Sequence, residues 1–243
     1  MKSLAIGVLL AFSLSACTSG LNDGLNNTAN IKQINLGGHT GKVVTQYPVE
    51  TAMINIYAKA SHEILYTTID EMKVSVAFDV IPKGTVTFAG KQVQGSEATS
   101  VTTVNNQIVD KSIGMNYFTL EPLVFYGFTS DDDEYSLATQ TAEIPKLANV
   151  GAANTFLTEN VYTDSSKRKK VSRYTQGWSL AQATPDTAWL CINSSENLLL
   201  ANDPDGTLSE CYRITEKGDI VDSTIENTYP KESGMETMRL TRG

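Results

Sequence analysis

The stretch KVSVAFDVI, residues 73–81, decides the fold class, because its large apolar side chains occupy every second position. These positions carry Val74, Val76, Phe78 and Val80, and smaller or charged residues lie between them. Successive side chains of a β-strand point to opposite faces of the sheet. The period of two therefore predicts a strand with one buried and one solvated face, as antiparallel sheets have.

Similar short runs of alternating or β-branched residues continue along the chain beyond this stretch. Asn105-Asn106 between two such runs is a tight-hairpin signal, and Gly90 and Gly218 mark further turns. The sequence predicts a mainly β fold, either an antiparallel β-sandwich or a curved half-barrel meander, because both architectures share this alternation. The runs cover residues 85–90, 100–104, 107–110, 115–120, 122–128, 155–163, 170–180, 187–193, 210–215 and 219–229.

Helical periodicity is visible only near residues 50–68. Ala52, Ile56, Ala60 and Ile64 recur at intervals of four, which predicts one short helix there. The same segment is rich in Tyr and Thr, so a strand is the competing interpretation.

The charge composition of the chain argues against one class of partner. The chain of 243 residues carries 19 Lys and Arg against 27 Asp and Glu, a formal net charge of −8. An acidic chain is a poor candidate for nucleic-acid binding, because contacts to phosphate supply most of that affinity. We therefore expect no nucleic-acid partner.

Two cysteines, Cys191 and Cys211, lie in strand-like segments on either side of the turn signal at residues 202–206. In an oxidising compartment they are expected to form a disulfide across one hairpin. Closing a loop of this length stabilises the fold by about 3 kcal/mol in the chain-entropy model.

The N-terminus carries an export signal. Lys2 precedes the apolar run LAIGVLLAFSL, residues 4–14, which is too short to span a membrane and is typical of a secretory signal peptide. The following Leu14-Ser15-Ala16-Cys17 resembles the lipobox of bacterial lipoproteins. Ordinary cleavage before Ala16, without lipid, is the alternative.

The lipoprotein resemblance, which covers residues 1–17 alone, implies the address and the anchor of the chain. It implies cleavage before Cys17, a covalent diacylglycerol on its thiol and an acyl chain such as palmitate on its amine. Several acyl chains make release from a membrane slow. Because Thr18, and not Asp, follows Cys17, the resemblance implies the outer membrane, with the periplasmic or surface face left open.

The chain is expected to have three parts. Residues 1–16 are the signal peptide, residues 17–40 the lipidated N-terminus with a flexible tether, and residues 41–243 a single β-rich domain. The tether is rich in Asn, Gly, Ser and Thr, so it buries too little apolar surface to order itself. Its random-coil reach is roughly 25 Å.

The strongest positive charge lies at Lys167, Arg168, Lys169 and Lys170, in a turn between two predicted strands. This basic turn is expected either to be a soluble hairpin tip or to contact phosphates of glycolipid or anionic headgroups. Asp203 and Asp205 form a standard turn or, as a weak alternative, part of a calcium site. We expect no other metal site and no cofactor beyond the lipid.

The most apolar part of the mature chain lies between Tyr117 and Phe128. It is expected to form packed core strands or to line a cavity for an acyl chain or another apolar ligand. The histidines His39 and His62 have no partner at metal-ligand spacing, and the chain contains no Gly-x-Ser-x-Gly nucleophile motif.

These observations predict a non-enzymatic, membrane-anchored lipoprotein whose β-rich domain binds or organises another component of the cell envelope, such as a protein or a glycolipid. Three alternatives remain open. A lipid or apolar-ligand carrier requires an apolar pocket of several hundred Å³. A surface adhesion or assembly component requires exposed apolar patches. A hydrolase with two carboxylates requires acids that face each other across a cleft.

Overall fold

One helix and fourteen strands make up the part of the chain that the structure describes. The structure is a computed structural model, and it describes residues 43–131, 133–195, 206–231 and 234–243. The elements are β1 (Gln46–Tyr47), α1 (Val49–Tyr57), β2 (Ser61–Ile69), β3 (Met72–Phe88), β4 (Lys91–Val104), β5 (Gln107–Leu120), β6 (Leu123–Ser130), β7 (Tyr135–Thr141), β8 (Ala148–Asn149), β9 (Ala153–Tyr162), β10 (Lys170–Thr184), β11 (Thr187–Ser195), β12 (Thr207–Thr215), β13 (Ile220–Lys231) and β14 (Gly234–Arg242).

Twelve of these strands form one closed antiparallel barrel, in the order β10-β11-β12-β13-β14-β2-β3-β4-β5-β6-β7-β9. The mainly β, antiparallel prediction is confirmed. The sheet closes fully because β14 pairs with β2, where Thr241 lies opposite Tyr66 and Arg242 opposite Leu65. The remaining strands, β1 and β8, form a separate two-stranded pair.

The stretch that predicted the fold class lies in β3, and its neighbours in the barrel are β2 and β4. Val74 and Val76 are buried, as the alternation predicts. The hairpin signal at Asn105-Asn106 is also confirmed: both residues have positive φ, which a tight two-residue turn requires.

The predicted helix is shorter than the periodicity indicated. Helix α1 ends at Tyr57, and β2 begins at Ser61. The second half of the segment, with Ile64, Thr67 and Ile69, pairs with β3 along nine positions. Its β-branched residues suit a pleated surface, so pairing with β3 overrides the apolar spacing of four.

Helix α1 lies in the barrel interior, against the inward rows of the strands. Val49, Ala52, Met53 and Ile56 are its buried residues. They belong to the main apolar cluster, together with side chains of six barrel strands, including Phe118, Leu123, Phe125, Phe156, Leu157, Trp178, Leu180, Leu190, Ile192 and Ile214. Burial of these large side chains makes this half of the interior a packed core.

The two ends of the barrel differ in what they carry. Residues 43–48 reach it at one end, where Val44 N–H donates to Pro185 O over 2.8 Å and β1 pairs with β8. We call this the entry end. Because the strands alternate in direction, the β3–β4, β5–β6, β10–β11 and β12–β13 turns lie at the entry end, and the β2–β3, β4–β5 and β9–β10 turns lie at the far end.

The predicted disulfide joins Cys191 on β11 to Cys211 on β12. The two residues lie directly opposite each other, with a Cα–Cα distance of 4.0 Å. Their neighbours Leu190 and Ile192 point into the core, so the disulfide lies on the outer face of the barrel wall.

The outer face carries cross-strand ion pairs. Arg213 lies 3.4 Å from Asp222, and Arg239 lies 3.4 Å from Glu226, each pair on neighbouring strands. Charged residues opposite each other on a strand pair suit a face in contact with water. Among the described residues, no helix has the length and apolar character needed to cross a membrane.

Candidate functional site

A cavity of about 450 Å³ lies in the barrel interior next to the C-terminal end of α1. Its wall includes inward-facing residues of β3, β4, β12 and β13, such as Phe78, Ala98, Glu210 and Ile225. The exposed residues Lys59, Ala60 and Asp219 also line it, and they lie at the entry end. The cavity therefore opens at the end of the barrel where residues 43–48 arrive.

Small side chains on one side of the barrel leave the space for this cavity. The inward row of β4 carries Ser96, Ala98, Ser100 and Thr102, where the opposite side of the barrel carries Leu, Ile and Trp. Gly114 lies opposite Ala98 on β5 and also lines the cavity. Protein interiors are close-packed, so this row of small residues produces an open volume that the helix does not fill.

Glu210 is the most distinctive side chain of the cavity wall. It lies on the inward row of β12 with Leu208, Tyr212 and Ile214, and it has no hydrogen bond or ion pair with any described residue. Burial raises the pKa of Glu210 to about 7, and the nearby Glu63 carboxylate adds to the effect. The cavity thus contains a carboxyl group that changes charge near neutral pH.

Glu63, the second acid of the wall, is held by partners from two other strands. Ser223 Oγ donates to Glu63 Oε2 over 2.5 Å, and Arg242 donates to the same oxygen over 3.1 Å. The Arg242–Glu63 ion pair also joins β14 to β2, the two strands that close the barrel. The charge of Glu63 is therefore balanced within the protein, unlike that of Glu210.

Two tyrosines, Tyr57 of α1 and Tyr212 of β12, stand with Glu210 in the cavity wall. Burial raises the pKa of both hydroxyls well above the usual range, and the charge of Glu210 adds to the shift in both cases. Both tyrosines are therefore neutral at physiological pH, and each presents an aromatic ring and a hydroxyl near the Glu210 carboxylate.

Ser96 adds a polar group to the opposite wall. It is 1% exposed, and its hydroxyl has no hydrogen-bond partner among the described residues. A buried hydroxyl without a partner costs free energy, which a hydrogen bond to a bound molecule recovers.

A third carboxyl group, Glu159, is buried in the barrel wall outside the cavity. One of its oxygens accepts a hydrogen bond from Ser136 Oγ, and the other has no partner. Burial raises its pKa to about 7, and the Ser136 hydrogen bond opposes that shift. Glu159 is thus a source of pH-dependent stability rather than a group that faces the cavity.

The basic turn lies away from the cavity. Lys167, Arg168 and Lys169 in the β9–β10 connection and Lys170 at the start of β10 are exposed at the far end of the barrel. A ten-residue strand spans about 33 Å, so the length of the barrel separates this turn from the cavity opening. The structure does not bring the four cations together with any other predicted site residue.

Three predicted site residues lie outside the described residues: Cys17, Asp203 and Asp205. Across residues 43–131, 133–195, 206–231 and 234–243, no group of three His, Cys, Asp or Glu side chains is placed to hold a metal ion. His62 lies on the outer face, where its Nδ1 is 2.8 Å from Asp79 Oδ1.

The apolar segment from Tyr117 to Phe128 contributes to the packed core and to the cavity wall, and its predicted role in holding an apolar ligand stays a prediction. Phe118, Leu123 and Phe125 belong to the main core, whereas Phe128 lines the cavity. Tyr117 points outward and stacks on Phe88 with a centroid distance of 3.9 Å. Gly127, with φ +141°, permits the close approach of β6 to β7, because a Cβ there would collide with Ser136 O.

Sequence reasoning did not single out Glu63 or Glu210. Glu63 fell in the segment interpreted as a helix, and Glu210 in a strand noted for Cys211. The sequence signal for Glu210 is its position. It shares every second place of the strand with Leu208, Tyr212 and Ile214, so the inward face of the strand contains one acid. A charged residue on a buried strand face indicates a functional position more strongly than one in a loop.

Two carboxyl groups facing one cavity is the arrangement that the hydrolase alternative required. Here the Glu63 carboxylate is engaged by Ser223 and Arg242, and Glu210 stands among tyrosines and apolar side chains. Nothing in the described part of the chain points to catalysis. The cavity has an apolar wall with a few fixed polar groups, a lining that is typical of small-molecule sites.

Comparison of the chain with protein-family models, with curated proteins and with solved structures finds no match.

Proposed function

We propose that this chain is a non-enzymatic, membrane-anchored envelope lipoprotein whose barrel binds a small amphipathic ligand in its interior. The observation that carries the proposal is the cavity of about 450 Å³, with apolar walls and the polar groups of Glu210, Arg242 and Ser96 around it. Ligand sites of small molecules fall in this size range and share this mixed lining. Of the alternatives considered from the sequence, the carrier of an apolar ligand is thus the best supported.

The position of the cavity opening supports a ligand that comes from the membrane. The opening lies at the entry end, which is also where the chain leading from Cys17 joins the barrel. With a tether reach of roughly 25 Å, a barrel anchored through Cys17 presents its opening toward the lipid surface. A lipid-derived or membrane-partitioned molecule then has a short path into the barrel.

The proposal is tested by extracting the purified protein with organic solvent and analysing the extract by mass spectrometry. We expect one class of small amphipathic molecule in about equimolar amount, because the cavity holds one ligand of that size. The matched variants are Ala98→Phe, which fills the cavity, and Ala77→Phe, which adds the same ring to the outer face of the neighbouring strand β3.

Loss of the molecule from Ala98→Phe and its retention in Ala77→Phe support the cavity as the site. Ser96→Leu, which fills the same region with a smaller group, covers the case in which Ala98→Phe does not fold. The same extract from all variants, or no bound molecule in the wild-type protein, contradicts the proposal.

The anchoring part of the proposal has a separate test. Mass spectrometry of the mature N-terminus is expected to find Cys17 carrying a diacylglycerol and an acyl chain, in protein located in the outer membrane. An unmodified terminus beginning at Ala16 contradicts the anchor and leaves the binding cavity to stand on its own test.

The basic turn supports a second candidate function, contact with another envelope component. Lys167 to Lys170 lie at the far end, so a barrel anchored at its entry end presents them away from its own membrane. Their partner is then a second anionic surface, either a glycolipid or a protein. Replacement of all four by Ser is expected to abolish sedimentation with anionic vesicles, whereas unchanged sedimentation removes this candidate.

A further inference from the structure

The cavity contains one acid whose charge the protein does not balance. Glu210 has no hydrogen bond or ion pair among the described residues, although its carboxyl group lies inside the barrel wall. Buried charges in proteins are normally paired or hydrogen-bonded, because an isolated one carries a large desolvation cost. A ligand group that supplies the missing partner must donate hydrogen bonds or carry positive charge.

The charges around the cavity also favour a cation. Its lining includes the carboxylates of Glu63, Glu210 and Asp219, and the bases Lys59 and Arg242. Arg242 is already engaged by Glu63 at 3.1 Å, and Lys59 is exposed at the opening. An anionic headgroup seated deep in the cavity would therefore face Glu210 without a free cation to balance it.

The rings near Glu210 provide the second element of cation recognition. Tyr57 of α1 and Tyr212 of β12 line the cavity near Glu210, and Phe128 lines it from β6. The negative face of an aromatic ring attracts a cation, and this attraction is strongest where water is excluded. A carboxylate with neighbouring tyrosines is suited to an ammonium group, which has both charge and apolar substituents.

We propose that the ligand of this cavity carries a cationic nitrogen that binds beside Glu210, near the rings of Tyr57 and Tyr212. The apolar part of the ligand then lies along Phe78, Phe128 and Ile225. The inference rests on the proposed binding function and names its ligand class: an amphipathic amine or alkylammonium compound.

The test uses three probes that share a six-carbon chain: hexyltrimethylammonium, hexyl sulfate and 1-hexanol. The full-length protein, dialysed free of small molecules, is titrated with each by calorimetry at pH 8. We expect hexyltrimethylammonium to bind at least about tenfold more tightly than the other two, because it alone pairs with ionised Glu210. Equal or tighter binding of hexyl sulfate or hexanol overturns the inference.

Matched variants separate the charge of Glu210 from general effects on the fold. Glu210→Gln keeps the shape of the side chain and is expected to weaken hexyltrimethylammonium by about tenfold while leaving hexanol unchanged. The control, Glu226→Gln, removes an acid from the outer face of β13 and is expected to change neither affinity. Equal losses in both variants, or no loss in Glu210→Gln, contradict the proposed contact.

The pH dependence of ligand affinity tests the same contact independently. The groups that face Glu210 are Tyr57 from α1, Tyr212 from β12 and Glu63 from β2 with its partner Arg242 from β14. With the Glu210 pKa at about 7, affinity for hexyltrimethylammonium is expected to fall about tenfold from pH 8 to pH 6, since the carboxylate becomes protonated. A flat profile in the wild-type protein contradicts the inference.

The outcomes distinguish this inference from the proposed function beneath it. If the extracted protein carries an anionic or uncharged amphipathic molecule, the barrel is a carrier and the cationic assignment is wrong. If no molecule is bound and none of the three probes binds, both the carrier function and the cationic assignment fail.

Discussion

Strands β10 and β11 on one side of the barrel and strand β4 on the other each present a row of side chains to the interior, but these rows differ in size. On β10 and β11 the rows include Trp178, Leu180, Leu190 and Ile192, which pack against α1. On β4 the row carries Ser96, Ala98, Ser100 and Thr102, of which Ser96 and Ala98 line the cavity. The same alternating strand pattern thus builds a packed core on one side of the barrel and borders a cavity on the other.

This comparison shows that the strand pattern and the filling of the barrel are separate properties of the sequence. Both sides keep the period of two and the antiparallel pairing that close the sheet. Stability comes from the half with large side chains, because burial of apolar area scales with side-chain size. The small side chains of β4 leave the space, and the polar groups that face it come from other strands, with Glu210 and Tyr212 on β12.

The largest expected effect comes from the packed half. Met53 is 0% exposed on α1, within the main cluster. Met53→Ala is expected to lower the free energy of unfolding by about 4 kcal/mol, from lost burial and the cavity left behind. Urea denaturation measures the change, and a loss below about 1 kcal/mol shows that α1 does not contribute to the core as described.

An intermediate effect is expected from Glu159, the buried acid of β9. Its pKa is about 7 in the folded protein and takes the ordinary value of 4.5 in the unfolded chain, so the folded state holds the proton more tightly. Its contribution to stability is therefore fully present below pH 4.5 and is lost as pH rises through 7. Glu159→Gln removes this dependence and is expected to be more stable than wild type at pH 8 by at most about 3 kcal/mol.

Thermal and urea unfolding at pH 5 and pH 8 measure the Glu159 effect. The matched variant is Glu226→Gln on the outer face, which is not expected to gain stability at pH 8. A Glu159→Gln protein that is less stable than wild type at pH 8 contradicts the buried, poorly satisfied carboxylate.

The smallest effects belong to the cavity half and form a matched pair. Ser96 Oγ has no hydrogen-bond partner, whereas Ser100 Oγ lies 2.9 Å from Ser112 Oγ. Ser96→Ala is expected to leave the free energy of unfolding unchanged or to raise it slightly, because it removes a buried hydroxyl without a partner, and Ser100→Ala to lower it by about 1 kcal/mol. The reverse order in urea denaturation contradicts the assignment of Ser96 to the binding surface.

The strands and the disulfide could be predicted from the sequence, but the closure of the barrel could not. Residues 73–81, the turn at Asn105-Asn106 and the Cys191–Cys211 pair are local features, and local patterns predict them. Closure depends on the pairing of β14 with β2, in which Arg242 lies opposite Leu65 although most of the sequence separates the two residues. Alternation is the same in a sandwich, a half-barrel and a closed barrel, so it does not distinguish them.

The cavity was harder to predict because its residues come from widely separated strands. Glu63 and Glu210 approach each other only after the barrel closes, and neither belongs to a motif. The small residues at 96–102 have the composition of an ordinary polar strand. What the sequence does contain is the acid in the apolar row of β12, whose meaning depends on knowing which face points inward.

The most direct measurement of the central claim is the labelling rate of a cysteine placed in each half of the interior. Ala98→Cys puts a thiol in the cavity wall, and Ala188→Cys puts one in the packed half, at a position that is 0% exposed. With a small methanethiosulfonate reagent, Ala98→Cys is expected to react at least about a hundredfold faster, because Ala188→Cys requires local unfolding. Peptide mapping locates the label. Equal rates at the two positions would contradict an open binding cavity in this barrel.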